Sequence, residues 1–383
     1  MLSSRLNWHA PENHLSQLLA AKRKAGESIL DLTESNPTRA GLFYPAQILE
    51  PLSDPRALLY QPEPRGSLQA RSAVAAYYKH LGVEIPEDRI LLTASTSEAY
   101  SYLFKLLANP GDEILSPCPS YPLFEFLAAL SSVTMLQYPL RYDGVWHIDF
   151  AALEQSIGPR TRAIVCVNPN NPTGSYLKTA ELSQLEEIAV RHNLALISDE
   201  VFCDYAFEPA HDRVITLAGD RRALTFSMSG LSKIAGLPQL KLGWIVASGP
   251  GREQALEGLE LIADTFLSVS TPVQLALPDL LAAGTQIREA IAARTEANLQ
   301  TLRDTLHASQ ATVLNIEGGW YAIVRVPNTI TEEEWTLRLL REQNVVVQPG
   351  YFFDFGTEAF LVISLLTPPG IFVEGLRRLR TFL

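Results

Sequence analysis

Ala163-Ile164-Val165-Cys166-Val167-Asn168-Pro169-Asn170-Asn171-Pro172-Thr173-Gly174 is the stretch on which the fold turns. Five apolar residues in succession, three of them β-branched, run into a segment rich in Asn and Pro that ends in Gly. Continuous apolarity without alternation marks a strand buried on both faces, as in parallel sheets covered by helices. The segment that follows is turn chemistry. The same unit recurs on both sides. Upstream, Ser67 to Leu81 reads as a helix ended by Gly82, Ile90 to Thr93 as a strand and Ser97 to Ala108 as a helix. Further strands are predicted at Glu113 to Leu115, Thr134 to Tyr138, Ala195 to Ser198, Leu224 to Ser227 and Leu242 to Ala247, most with a helical stretch beside them. This alternation predicts the α/β class, a mostly parallel sheet sandwiched by helices. Sites in open sheets of this kind lie at the carboxyl ends of the strands.

The two chain ends predict a second, smaller α+β unit. Asn13 to Ala25 reads as a helix closed by Gly26, and a long helical pattern runs from about Thr285 to His307. Thr312 to Leu314, Trp320 to Val326 and Phe360 to Leu365 read as strands, and Thr331 with Glu334 resembles a capping box opening a helix to Gln343. The expected division is a segment 1–44 joining the small domain, a large domain 45–284 and the small C-terminal domain 285–383.

Composition narrows the function. With 383 residues, 47% hydrophobic and 19% charged, the chain has material for a large core. Its 31 Lys and Arg against 42 Asp and Glu give a net charge of −11, which repels nucleic acid and anionic membranes. The three cysteines, Cys118, Cys166 and Cys203, form no CxxC pair, so neither a disulfide framework nor a metal site is expected, and a reducing cytoplasm fits. No signal peptide or membrane span is expected.

Asn171, Asp199 and Lys233 follow successive predicted strands. Alone, each has a plain reading: a turn, a cap and a surface charge. Together they match the needs of pyridoxal phosphate chemistry, which calls for a Schiff-base lysine, an acid at the pyridine nitrogen, a donor to the ring hydroxyl and a phosphate cradle. On these residues the sequence resembles the class I/II aminotransferase family of fold type I pyridoxal-phosphate enzymes, from about Leu30 to the C-terminus. The resemblance implies pyridoxal 5'-phosphate as cofactor, with Lys233 and Asp199 catalytic: Lys233 forms the Schiff base and moves the substrate proton, and Asp199 pairs with the pyridinium. Asn171 would bond the ring hydroxyl oxygen. The phosphate would sit at Ser95, Thr96 and Ser97, where a strand meets a helix N-terminus. Tyr121 matches the aromatic stacked on the ring, and Tyr60 the tyrosine that reaches the neighbouring subunit's phosphate, which implies a homodimer with shared active sites.

Four departures stand out. Lys241 holds the place of a phosphate-binding arginine and loses its bidentate fork. Gly230 replaces a phosphate-binding serine, for which Ser229 or Ser232 would substitute. Phe202 replaces a tyrosine that donates to the ring hydroxyl oxygen. Val362 stands where the family presents an arginine to the substrate α-carboxylate. Arg39, Arg325 or Ser35 would compensate, and Trp320 is a further substrate-binding candidate. The leading expectation is an aminotransferase moving an amino group between an amino acid or amine and a 2-oxo acid. Elimination, decarboxylation or racemisation with the same cofactor, and a silent cofactor-binding regulator, are the alternatives. Phe43, Trp320, Tyr351, Phe352 and Phe353 suggest an apolar pocket favouring neutral or aromatic amino acids.

Overall fold

The computed structural model describes residues 2–9, 11–357 and 359–383. Its centre is an eight-stranded sheet in the order Ile90–Thr93, Gly243–Ser248, Thr225–Gly230, Ala195–Asp199, Thr161–Val167, Glu113–Cys118, Thr134–Tyr142 and Trp146–Ile148. Gly243–Ser248 and the short edge strand Trp146–Ile148 run antiparallel to their neighbours, and the remaining strands share one direction. The carboxyl ends of Ile90–Thr93, Thr161–Val167, Ala195–Asp199 and Thr225–Gly230 therefore meet at one edge.

Side chains along a strand alternate between faces, and both faces are buried. Ala163, Val165 and Val167 pack with Ala195, Ile197, Phe226 and Met228 against the helices Thr96–Leu107 and Arg252–Phe266. Ile164, Cys166 and Leu196 pack on the other face against Thr179–His192. Two-sided burial explains the unbroken apolar runs in the sequence.

The small domain holds an antiparallel sheet in the order Thr312–Val313, Tyr321–Arg325, Phe360–Ser364 and Gln348–Pro349. Beside it, Leu30–Asp31 pairs in parallel with Val345–Val346, which ties the N-terminal segment to the C-terminal one. The helix Glu332–Gln343 is capped by Thr331, whose side chain accepts from Glu334 N.

The long helix begins fourteen residues before the sequence pattern places it, running Thr271–Leu306, about 54 Å. Its first half carries Pro278 and lacks a polar stripe, so periodicity misses it. Burial on several sides holds it instead: Val273, Ala276, Leu277 and Leu280 join the core with Tyr77, Tyr78 and Trp244. Leu299, Leu302 and Leu306 belong to the small-domain core. One continuous helix thus spans both units. The strand Trp146–Ile148 and the helix Arg252–Phe266 are also additions to the sequence reading. No helix among the described residues is long and apolar enough to cross a membrane.

Candidate active site

The strand ends open into a cleft. Ser35, Ser95, Thr96, Ser97, Tyr121, Asn171, Asp199, Phe202, Ser232 and Lys233 line it, so ten of the sequence candidates converge. Register accounts for the selection. Asp199 shares strand parity with Ile197, and Gly230 with Met228, so both lie on the face covered by the helix Thr96–Leu107. Ser229 has the opposite parity. Its hydroxyl is buried without a partner and does not line the cleft, so of the two serines offered as substitutes, Ser232 is the one positioned there.

The cradle is a helix N-terminus. Ser95, in extended conformation, caps the helix with its side chain accepting from Glu98 N at 3.2 Å, and the Glu98 carboxylate accepts from Ala94 N at 2.6 Å. The first-turn N–H groups beyond these lack intrahelical partners and point with the helix dipole toward an anion. Gly230 and Gly243 are needed where strands close beneath this turn. A Cβ on Gly230 would stand 2.8 Å from Gly243 Cα and from Leu242 O, and one on Gly243 would stand 3.2 Å from the Ser95 carbonyl carbon.

Two buried charges oppose each other in the cleft. Burial raises the Asp199 carboxyl to about 6, while hydrogen bonds from Val201 N and the Tyr100 hydroxyl, together with Lys233, pull it back. Burial lowers the Lys233 ammonium to about 8, with Asp199 opposing. The Lys233 Nζ lies 4.7 Å from the Trp320 ring centroid and 5.5 Å from that of Phe202, and the two rings meet edge-on at 5.2 Å. Trp320 is fully buried and does not line the cleft, so it touches the lysine from behind rather than facing a substrate. The Lys233 carbonyl accepts from the Tyr205 hydroxyl at 2.5 Å. Burial also pushes the Tyr121 phenol up to about 12.

The other candidates lie elsewhere in the protomer. Tyr60 is 75% exposed, beside Gln61 and Ser268 in a separate surface pocket. Arg39, Arg325 and Lys241 are exposed and do not line the cleft; Lys241 has φ +49 and precedes Leu242, which does line it. Phe43 is 83% exposed, and Tyr351, Phe352 and Phe353 are likewise absent from the cleft wall. Val362 is sealed with Trp146, Leu314, Ile323 and Phe353. Sequence reasoning misses Tyr100, which donates to Asp199 Oδ2 at 3.2 Å, and Tyr321, which lines the cleft. Tyr100 had a signal: with Ala99, Leu103 and Phe104 it forms the apolar stripe of the cradle helix.

The site fits pyridoxal phosphate. An enclosed amine and an acid face one cavity beside an anion-seeking helix end, and the Asn171 Oδ1 is buried with no partner in the chain. No cluster of His, Cys, Asp and Glu suited to a metal occurs among the described residues.

Comparison with known proteins agrees with this geometry. The family model for aminotransferase class I and II matches residues 29–371. The chain is 33% identical over 282 residues to the glutamate-pyruvate aminotransferase of Escherichia coli strain K12, covering 72% of this chain and 69% of that one. It is 29% identical over 382 residues to an alanine aminotransferase of Mycobacterium tuberculosis, covering 95% and 88%. A crystal structure of an aminotransferase from Escherichia coli superposes with a TM-score of 0.88 at 27% identity, covering 100% of this chain and 98% of the other. The chain belongs to the class I/II aminotransferase family, with the fold type I architecture, and is an aminotransferase.

Proposed function

We propose that this aminotransferase holds pyridoxal 5'-phosphate in the cleft, with its phosphate at the Ser95–Ser97 helix end and Ser232, its ring nitrogen toward Asp199 and its ring hydroxyl toward Asn171. The convergence of Lys233, Asp199 and that helix end on one cavity carries the reading. When bound, the cofactor supplies an electron-withdrawing ring conjugated to the reacting carbon. The chain supplies the rest. Lys233 tethers the cofactor and, once released, its amine takes the proton from the substrate α-carbon and returns one elsewhere; a value near 8 leaves that amine partly neutral near neutral pH. Asp199 stays ionised above about pH 6 and so can keep a ring nitrogen charged. Phe202 offers no hydroxyl, so Asn171 carries the bonding to the ring hydroxyl alone. Lys241 is placed for at most a peripheral charge.

The names of the two relatives favour substrates with a small uncharged side chain, alanine and pyruvate, with glutamate as a donor. A shared-site homodimer is supported by Tyr60, which stands outside its own protomer's cleft, and by the exposed apolar Phe43 and Leu58. Three free cysteines agree with a reducing cytoplasm.

The test is spectroscopic. Protein loaded with pyridoxal phosphate should lose its visible absorption band on addition of alanine or glutamate alone and regain it with pyruvate. Lys233→Ala should abolish the cycle. Release of product without change of cofactor form would refute transamination.

A further inference from the structure

A 2-oxo acid carries a carboxylate that the cleft must hold, yet Lys233 is the only Lys or Arg among its described lining residues. That amine is already engaged by Asp199 and by proton transfer. Two part-buried arginines are committed elsewhere: Arg288 pairs with Asp204 at 3.4 Å, and Arg294 donates to Ala40 O at 3.0 Å. The small-domain strand opposite offers nothing ionic, because Val362 is fully buried in an apolar cluster. What that domain does turn into the cleft is a pair of hydroxyls. Ser35 follows the strand Leu30–Asp31, and Tyr321 opens Tyr321–Arg325.

The Tyr321 ring is fixed perpendicular to Phe202 at 6.5 Å and tilted on Phe353 at 6.3 Å. Burial raises its phenol, the adjacent Ser35 hydroxyl lowers it and Glu34 raises it, so Tyr321 remains a neutral donor. Glu34, whose Oε1 accepts from Asn36 N at 2.8 Å, adds negative potential nearby.

Building on the cofactor placement above, we propose that Ser35 and Tyr321 form an uncharged clamp for the substrate carboxylate, doing with two hydroxyl donors what a guanidinium does with a charge. The consequence is weak selectivity for charge. A hydroxyl can donate to a carboxamide oxygen as well as to a carboxylate, whereas a buried cation strongly prefers the anion. Such a site transaminates amino amides and simple amines alongside amino acids.

The experiment is calorimetric titration of the cofactor-loaded protein with isobutyrate and with isobutyramide, neither of which has an amine to react. Wild-type protein should bind the two within about tenfold of each other. Ser35→Ala and Tyr321→Phe should each weaken isobutyrate binding about tenfold, the loss of one hydrogen bond to an ionised acceptor. Arg39→Ala should leave it unchanged. A carboxylate preference above about a hundredfold overturns the clamp. So does a loss on Arg39→Ala with both hydroxyl variants unaffected. Cofactor uptake is read from visible absorption before titration; its failure counts against the cofactor placement, whereas intact uptake with unaltered ligand binding counts against the clamp alone.

Discussion

Replacing Lys233 with Met should stabilise the cofactor-free protein, and the size of the effect follows from burial. The ammonium is lowered from 10.5 to about 8, chiefly by desolvation. At ~1.36 kcal/mol per pH unit, holding it charged at pH 7 costs the fold about 3 kcal/mol. Met fills the stem's volume without the charge. Part of the gain is lost because Asp199, already raised to about 6, forfeits the favourable charge of Lys233 and rises further, leaving a net of about 2 kcal/mol. For a chain of this length that is about 2–3 °C in Tm. The sign with pH is fixed. A base whose folded pKa is depressed binds fewer protons folded than unfolded between the two values, so wild-type stability rises from pH 8 to 10.5 and the lysine's penalty vanishes there. Scanning calorimetry of both proteins from pH 7 to 10.5 should therefore show the Met variant's advantage shrinking as pH climbs. An advantage that is absent at pH 7, or constant with pH, would refute a desolvated lysine.

Transfer rate at saturating donor should fall as pH drops below about 8, where Lys233 protonates, and fall again below about 6 as Asp199 loses its charge; a flat profile from pH 5 to 9 in stopped-flow absorbance would contradict both. Gly230→Ala should cost several kcal/mol and strip cofactor affinity, since its Cβ meets backbone at 2.8 Å on two atoms, whereas Gly356→Ala, with open space around it, should be neutral; thermal melts compare them. Asn171→Ala should weaken cofactor binding about tenfold, read by equilibrium dialysis, because it removes the ring hydroxyl's one remaining partner. Tyr100→Phe should move the lower pH limb upward, since the hydroxyl it removes helps keep Asp199 ionised.

The sheet and the edge that lines the cleft were legible because two-sided burial writes itself as unbroken apolar runs, and parallel strands must end in turns that present polar residues. Asn171, Asp199 and Lys233 could be picked out without coordinates for that reason. Strand parity puts Ser229 on the far face, while Ser232 lies in the helix Leu231–Ile234 beyond the strand; the sequence does not say where Leu224 to Ser227 ends, and only the strand's extension to Gly230 fixes the side of Ser229. The first half of the helix Thr271–Leu306 was illegible because its burial is many-sided, leaving no period to detect. Tyr321 could not be separated from Trp320. In a buried antiparallel strand both are apolar-looking neighbours, and which one faces the cleft depends on how the small domain docks.

The same contrast explains why reaction class is easier to read than substrate. Lys233, Asp199, Asn171 and the Ser95 turn all hang from one sheet, so their mutual placement follows from register and strand direction. The substrate pole is assembled from pieces far apart in sequence: Ser35 from the N-terminal segment and Tyr321 from the small sheet, brought together by Leu30–Asp31 pairing with Val345–Val346 and by the Ser364 hydroxyl donating to Glu34 O at 2.6 Å. Substitutions there alter the proposed clamp without touching the sheet edge, so an apolar Val362 is compatible with Lys233 and Asp199 staying where the strands put them. The proposed clamp is thus carried by two separated segments of the small domain, whereas Lys233, Asp199 and Asn171 share one sheet edge.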